Sequence, residues 1–157
     1  MAKKTPPPPA PADSRATAIW VPIESVKLDP RNARERTPRN LQAIRKSLDR
    51  FGQRKPLVVD ADGFVCAGNG TLLAARELGW SEVWIAPTHL RGAEARAFAI
   101  ADNRAGDLSQ FDEAELTLQI GELPADLLEV TGFDAAELDE LLPKAAPVGP
   151  DGQPIPK

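Results

Sequence analysis

A single cysteine, Cys66, stands among the 157 residues, with a single histidine, His89, and a single methionine. One thiol excludes an internal disulfide framework and leaves no thiol cluster for a structural metal. One histidine leaves carboxylates to supply most of any metal-dependent chemistry. No apolar run approaches the roughly 20 residues that span a bilayer, so no membrane helix is expected. The opening Met-Ala-Lys-Lys-Thr-Pro-Pro-Pro-Pro-Ala is basic but has no apolar segment behind it. It is therefore not expected to be a secretory signal, and a cytoplasmic location is the expectation. What is present is ordinary for a globular protein, 42% apolar and 27% charged, with room for one domain and its tails.

The net charge of −4 conceals a gradient. Residues 1–55 carry 13 Lys/Arg against 5 Asp/Glu, and residues 106–157 carry 2 against 12. The basic block, running through Arg31, Arg34, Arg36, Arg39, Arg45, Lys46 and Arg50, has the sign to attract phosphates. The plain alternative is the solvated face of a helix and a loop. A pI near 5.1 argues against strong non-specific DNA binding by the chain alone, so any DNA contact is expected through the basic N-terminal third.

Residues 1–17 and 143–157 are rich in proline without apolar periodicity, and are expected to be disordered tails. Between them the elements alternate. Ile19–Ile23 is a short β-like run in which Pro22 suits an edge. Asp29-Pro-Arg-Asn32 is a turn. Thr37-Pro38 is an N-cap with proline at the first helical position, and Leu41, Ile44, Leu48 and Phe51 follow at helical spacing until Gly52. Pro56–Val59 and Phe64–Cys66 read as a hairpin around Asp60–Gly63. Thr71–Leu78 is a second helix, Val83–Ala86 a last strand, and Glu94–Asn103 a helix with Ala97, Ile100 and Ala101 facing inward. Asp112-x-x-Glu115 and Asp134-x-x-Glu137 resemble capping boxes that open acidic helices. The expected architecture is a small α/β (α+β) domain over 18–105 with a helical appendage over 106–142.

Gly68-Asn69-Gly70-Thr71 lies where a strand ends and a helix begins. Free backbone N–H groups in a helix's first turn, with the positive dipole end, make a ready anion site. The glycines permit close approach, and Asn69 and Thr71 add hydrogen bonds. The same residues also suit a plain corner in which Thr71 merely caps the helix. The Walker spacing and its lysine are absent.

Three segments taken in order carry a resemblance: Asp29–Arg34, Leu41–Val59 and Val65–Gly79. Together they resemble the ParB N-terminal domain of the ParB/sulfiredoxin superfamily. Ala99-Ile-Ala-Asp-Asn-Arg104, followed by Leu108 and Phe111-Asp112, is similar to the phage and methylase-associated branch. The resemblance spans about residues 19–142 and implies a ParB/sulfiredoxin-like fold, a short mixed sheet flanked by helices. In ParB proteins the turn reads Gly-Glu-Arg-Arg and grips the triphosphate of CTP. Here Gly68 is kept, while Asn69, Gly70 and Thr71 replace the other three, so two bidentate phosphate donors are lost. The resemblance then implies nucleotide or phosphate binding, with a nucleoside triphosphate and Mg²⁺ as the cofactor and an altered base or chain-length preference. Arg31, Asn32 and Arg34 would close over the ligand, and Asn103 and Arg104 match the Asn/Arg pair that completes the pocket.

In sulfiredoxins a catalytic cysteine stands in this turn. Aligned on Ala67–Thr71 it falls on Asn69, and Cys66 is expected to be a buried, inert thiol. A metal-dependent nuclease would draw on Asp60, Asp62, Glu77, Asp102 or His89, although Asp60 and Asp62 suit the hairpin and His89 a surface loop. Three functions follow: a nucleotide-binding module in the DNA modification, packaging or partition of a phage or mobile element; a non-enzymatic adaptor; and a weak nuclease. If an enzyme, the chain would be a nucleoside triphosphatase or nuclease of the ParB-like type. Expected partners are DNA, a methylase, terminase or other DNA-acting protein, and a second copy of the chain.

Overall fold

The computed structural model describes residues 17–142, so the tails expected over 1–17 and 143–157 lie outside the described residues, Thr17 excepted. The chain divides into two compact units, one reaching Ser109 and one starting at Gln110.

The first unit is built on a four-stranded mixed sheet. Its strands are β1 (Ile19–Pro22), β2 (Leu57–Val59), β3 (Val65–Ala67) and β4 (Glu82–Pro87), in the order β1-β4-β2-β3. β1 pairs antiparallel with β4, β4 parallel with β2, and β2 antiparallel with β3. Pro22 thus occupies an edge strand, where its missing N–H costs least. α1 (Pro38–Phe51) starts on Thr37, whose hydroxyl accepts from the Asn40 amide, with Pro38 at its first position. α2 (Asn69–Glu77) packs beside α1, and α3 (Gly92–Asp107) lies against β3.

The alternation of β2 and β4 turns Leu57, Val59, Val83 and Ile85 inward, onto Leu48 of α1 and Leu72, Ala74 and Ala75 of α2. Leu41, Ile44 and Trp80 pack around that core. Phe51, expected to continue the apolar stripe of α1, is 42% exposed at the helix end.

Two non-local devices complete the sheet. The Gln53 side chain donates to the Trp84 carbonyl and accepts from the Trp84 amide, both at 2.8 Å. Pairing in β2 starts at Leu57, opposite Ile85, so no residue of β2 stands opposite Trp84. Gln53 supplies the missing peptide-like partner. Farther along, Lys27 bridges to β3, its amide donating to the Gly63 carbonyl and its carbonyl accepting from the Val65 amide, both at 2.9 Å. That bridge delivers the 29–36 loop to the edge of β3.

The reading of α3 requires correction. Its inward line runs through buried Ala95 and half-buried Phe98, Ala99 and Asn103, whereas Ala97 and Ala101 are exposed and Ile100 is 61% exposed. The helix docks beside a polar loop, and so a polar Asn103 takes the place expected of an isoleucine.

The second unit carries α4 (Glu113–Glu122), α5 (Ala125–Leu128) and α6 (Ala135–Leu141). Asp134 and Glu137 form a reciprocal capping box, while the Asp112 carboxylate accepts from the Ala114 and Glu115 amides. Phe111 and Phe133 contact at 6.2 Å between ring centres, and Ile120 is buried. The short α5 is not marked in the sequence by a cap. Among the described residues no helix is long and apolar enough to cross a membrane.

Replacing Gln53 with leucine would leave both Trp84 backbone groups without their partner. A loss of about 2 kcal/mol is expected, read from the urea midpoint at unchanged slope.

Candidate functional site

β3 ends at Ala67, and the chain turns at once into α2. The turn is made by Gly68 at φ 102° and ψ 18°, the left-handed region. A Cβ at this position would also lie 2.6 Å from Leu57 Cδ2. Gly68 is therefore required by the packing of its own turn, whatever else passes near it.

Gly68, not Thr71, is the N-cap of α2, and it brings no side-chain cap. The helix begins two residues earlier than the sequence suggests, so Asn69, Gly70 and the half-buried Thr71 form its first turn. The first amide to bond back along the helix is that of Leu72, to the Gly68 carbonyl at 3.0 Å. The three amides before it have no acceptor within the helix.

Asn69 is buried and its side chain is already engaged. Nδ2 donates to the Val65 carbonyl at 2.9 Å, and Oδ1 accepts from the Asp29 amide at 3.0 Å. It ties β3 and the 29–36 loop to the start of α2, so its contribution to a ligand site is to hold the backbone in place.

Gly70 is where the loop presses closest. A Cβ here would meet Arg36 Nη1 at 2.7 Å, Arg36 Cζ at 2.8 Å and Ile44 Cδ1 at 2.8 Å. The Arg36 guanidinium thus lies directly over Gly70. Its Nη1 donates to Asn40 Oδ1 at 3.4 Å, and its buried Nε has no partner. Burial, and then the neighbouring Arg34 charge, push this guanidinium below its ordinary value.

The other residues singled out in the sequence gather along the loop and α3. The Arg31 amide donates to Asp29 Oδ1 at 2.8 Å, leaving its side chain exposed. Asn32 shapes the loop, its Nδ2 donating to the Arg34 carbonyl at 3.1 Å. Arg34 Nη2 donates to the Asn103 carbonyl at 3.3 Å and pairs with Asp107 at 2.5 Å. The Asn103 side chain donates to the Ala99 carbonyl at 2.9 Å, and Arg104 is exposed beside it. Between loop and helix runs a cleft with two adjoining hollows of about 230 and 180 Å³. The first has Cys66 in its lining, the second Asn32 and Asn103, and Arg31 and Arg96 line both.

The candidate residues therefore form two groups. One is the turn with Arg36 over it, and the other is the loop–α3 cleft; the Asn69–Asp29 hydrogen bond joins them. Arg36 and Arg96 were not singled out as site residues by the sequence. Arg96 had a signal, since it precedes Asn103 by seven residues and so shares its helix face. Arg36 had none beyond membership of the basic block.

The chemistry of nearby groups is restrained. Burial first, then the charges of Asp60 and Asp29, push the Cys66 thiol up to about 11. Asp60 Oδ1 accepts from the Asp62 and Phe64 amides at 2.9 Å and so shapes the hairpin. Asp62 pairs with Arg91 at 2.7 Å, Glu77 with Arg45 at 3.5 Å, and Asp102 and His89 are exposed. Among the described residues no three metal-ligating side chains converge.

No protein-family model matches the sequence, and no curated protein matches it. Solved structures do. The mixed sheet, the helix-starting turn and α3 define an α/β domain of ParB-like fold. The structure is similar to the C-terminally truncated chromosome-partitioning protein ParB from Caulobacter crescentus complexed with CTP-gamma-S. That similarity has a TM-score of 0.69 at 17% identity and covers 80% of this chain and 77% of that one. A Pnob8-like ParB-N domain also matches at TM-score 0.49 and 24% identity, covering 68% of this chain and 44% of that one.

Two outcomes are expected. Asn69→Ala leaves the Asp29 amide and Val65 carbonyl unpaired and lowers stability by about 2 kcal/mol in urea unfolding. Because the raised pKa favours the protonated thiol, Cys66 at pH 8 reacts with iodoacetamide about a hundredfold more slowly than a free cysteine. Its rate rises about tenfold per pH unit above pH 8 and levels off only beyond about pH 11.

Proposed function

We propose that the first unit is a nucleotide- or phosphate-binding module of ParB-like type, acting in DNA transactions. The observation that carries this reading is the uncapped first turn of α2, with three backbone amides lacking helical acceptors beside the arginine-bearing 29–36 loop. Such a turn favours a phosphate through both its N–H groups and its dipole. The ligand is a nucleoside triphosphate with Mg²⁺, its phosphates on the amides of Asn69, Gly70 and Thr71. Arg31, Asn32 and Arg34 close one side, and Asn103 and Arg104 the other. The Caulobacter protein, similar in fold, was solved with CTP-gamma-S and is a chromosome-partitioning protein, which supports this ligand class and a DNA-related role. The basic N-terminal third is the side offered to DNA. Within this reading the setting is a phage or mobile element, with a methylase or terminase as partner and a second copy of the chain in the assembly.

A second reading has its own observation. Residues 106–142 hold 11 Asp/Glu and no Lys or Arg, with Phe111 71% and Leu118 63% exposed. An acidic unit with exposed apolar residues suits an adaptor that mounts a DNA-acting protein.

Calorimetric titration with CTP, ATP, GTP, UTP and ADP in the presence of Mg²⁺ tests the first reading. Saturable binding of a triphosphate is expected, weakened about tenfold by Arg104→Ala, an exposed position whose loss spares the fold. No binding up to millimolar nucleotide would leave the adaptor reading in place.

A further inference from the structure

Resting on the phosphate-binding reading, we infer that Arg36 is the anion-gripping side chain of this turn, reaching in from the 29–36 loop, and that Gly70 is the notch that admits it. The turn itself carries no cation, since its residues are Gly68, Asn69, Gly70 and Thr71. A turn of bare amides offers dipoles but no guanidinium fork, the group that suits phosphate oxygens best.

The space supplies one from elsewhere. The Arg36 guanidinium lies over the α-carbon of Gly70, so close that even a methyl group there would collide with Nη1 and Cζ. Any other residue at position 70 would displace it. Charge is placed there without compensation. Among the described residues no carboxylate pairs with Arg36, its one side-chain partner is a long contact to Asn40, and its buried Nε is unsatisfied. Arg34 adds like charge, although it is itself paired with Asp107. The first turn of α2 adds its positive end, where a cation is unfavourable. The Arg36 guanidinium and the positive end of α2 meet at a half-buried point with no carboxylate paired to Arg36, and that favours an arriving polyanion. Stability alone gives no reason for the arrangement, since a buried unpaired donor and like charges both cost free energy.

The glycine makes a clean test. Gly70 is helical with no positive φ, so alanine suits its backbone and has higher helix propensity. The atoms its Cβ would meet are the ends of two flexible side chains, Arg36 and Ile44. Gly70→Ala therefore folds and moves the guanidinium out. Arg36→Met removes the charge and keeps an apolar stem, and Arg36→Lys keeps the charge without the fork.

The probes are inorganic tripolyphosphate and the nucleoside triphosphates, titrated calorimetrically against the full chain and the three variants. The Kd for tripolyphosphate is expected to rise at least tenfold in Arg36→Met and Gly70→Ala and less in Arg36→Lys. Melting temperatures should stay within about 4 °C of the parent. Binding within twofold of the parent in both Arg36→Met and Gly70→Ala overturns the inference, and leaves the nucleotide reading standing if a nucleoside triphosphate still binds. Arg36-dependent tripolyphosphate binding with no nucleotide bound upholds the inference and removes the nucleotide reading. No binding of either probe to the parent chain overturns both.

Discussion

The side-chain amide of Asn69 is the point on which the site depends. It binds the Val65 carbonyl on one side and the Asp29 amide on the other, and is itself buried. Through the first bond the end of β3 is fixed to the start of α2, so the chain must turn at Gly68. Through the second the 29–36 loop is held against that turn, and Arg36 is carried over Gly70. A buried amide whose bonds are made rigidifies its surroundings, because each broken bond would leave a desolvated group without a partner. The polar residue most naturally assigned to a ligand is thus the one that builds the cradle.

From this constraint the electrostatics follow. The loop that Asn69 holds in place carries Arg31, Arg34 and Arg36. Arg34 is neutralised by Asp107 at the end of α3, which ties the loop to that helix. Arg36 has no such acid and is partly desolvated. The unit therefore places one guanidinium with no carboxylate partner over Gly70 in the first turn of α2, and the cleft beside it is lined by Arg96 and Asn103. Under the proposed function, positioning of this kind is set by the fold before a ligand arrives, which spares the entropy of ordering the site on binding.

Much of the fold was legible in the sequence because its signals are local. Thr37-Pro38, Gly52, the Asp60–Gly63 turn and the Asp134/Glu137 box each fix the backbone within a few residues, and each stands where the pattern put it. Non-local facts were not legible. Nothing near Gln53 announces that it will complete a strand 31 residues away, and nothing near Arg36 announces Gly70. The start of α2 was misplaced because threonine is a common cap, while a left-handed glycine packed on Leu57 took that position. The inward face of α3 was misread because apolar periodicity identifies the buried stripe only where the neighbour is apolar. Here the neighbour is the polar 29–34 loop, and Asn103 faces it.

The resemblance of the segments from Asp29 to Gly79 anticipated the ParB-like fold. The central claim is that the amides of α2's first turn, overlaid by Arg36, receive phosphate. Two-dimensional ¹H–¹⁵N spectra recorded through a titration with nucleoside triphosphate and Mg²⁺ test it most directly. The account predicts that the largest shifts fall on the Asn69, Gly70 and Thr71 amides and on the Arg36 Nε–H. Saturable binding whose shifts leave those groups unmoved would contradict it.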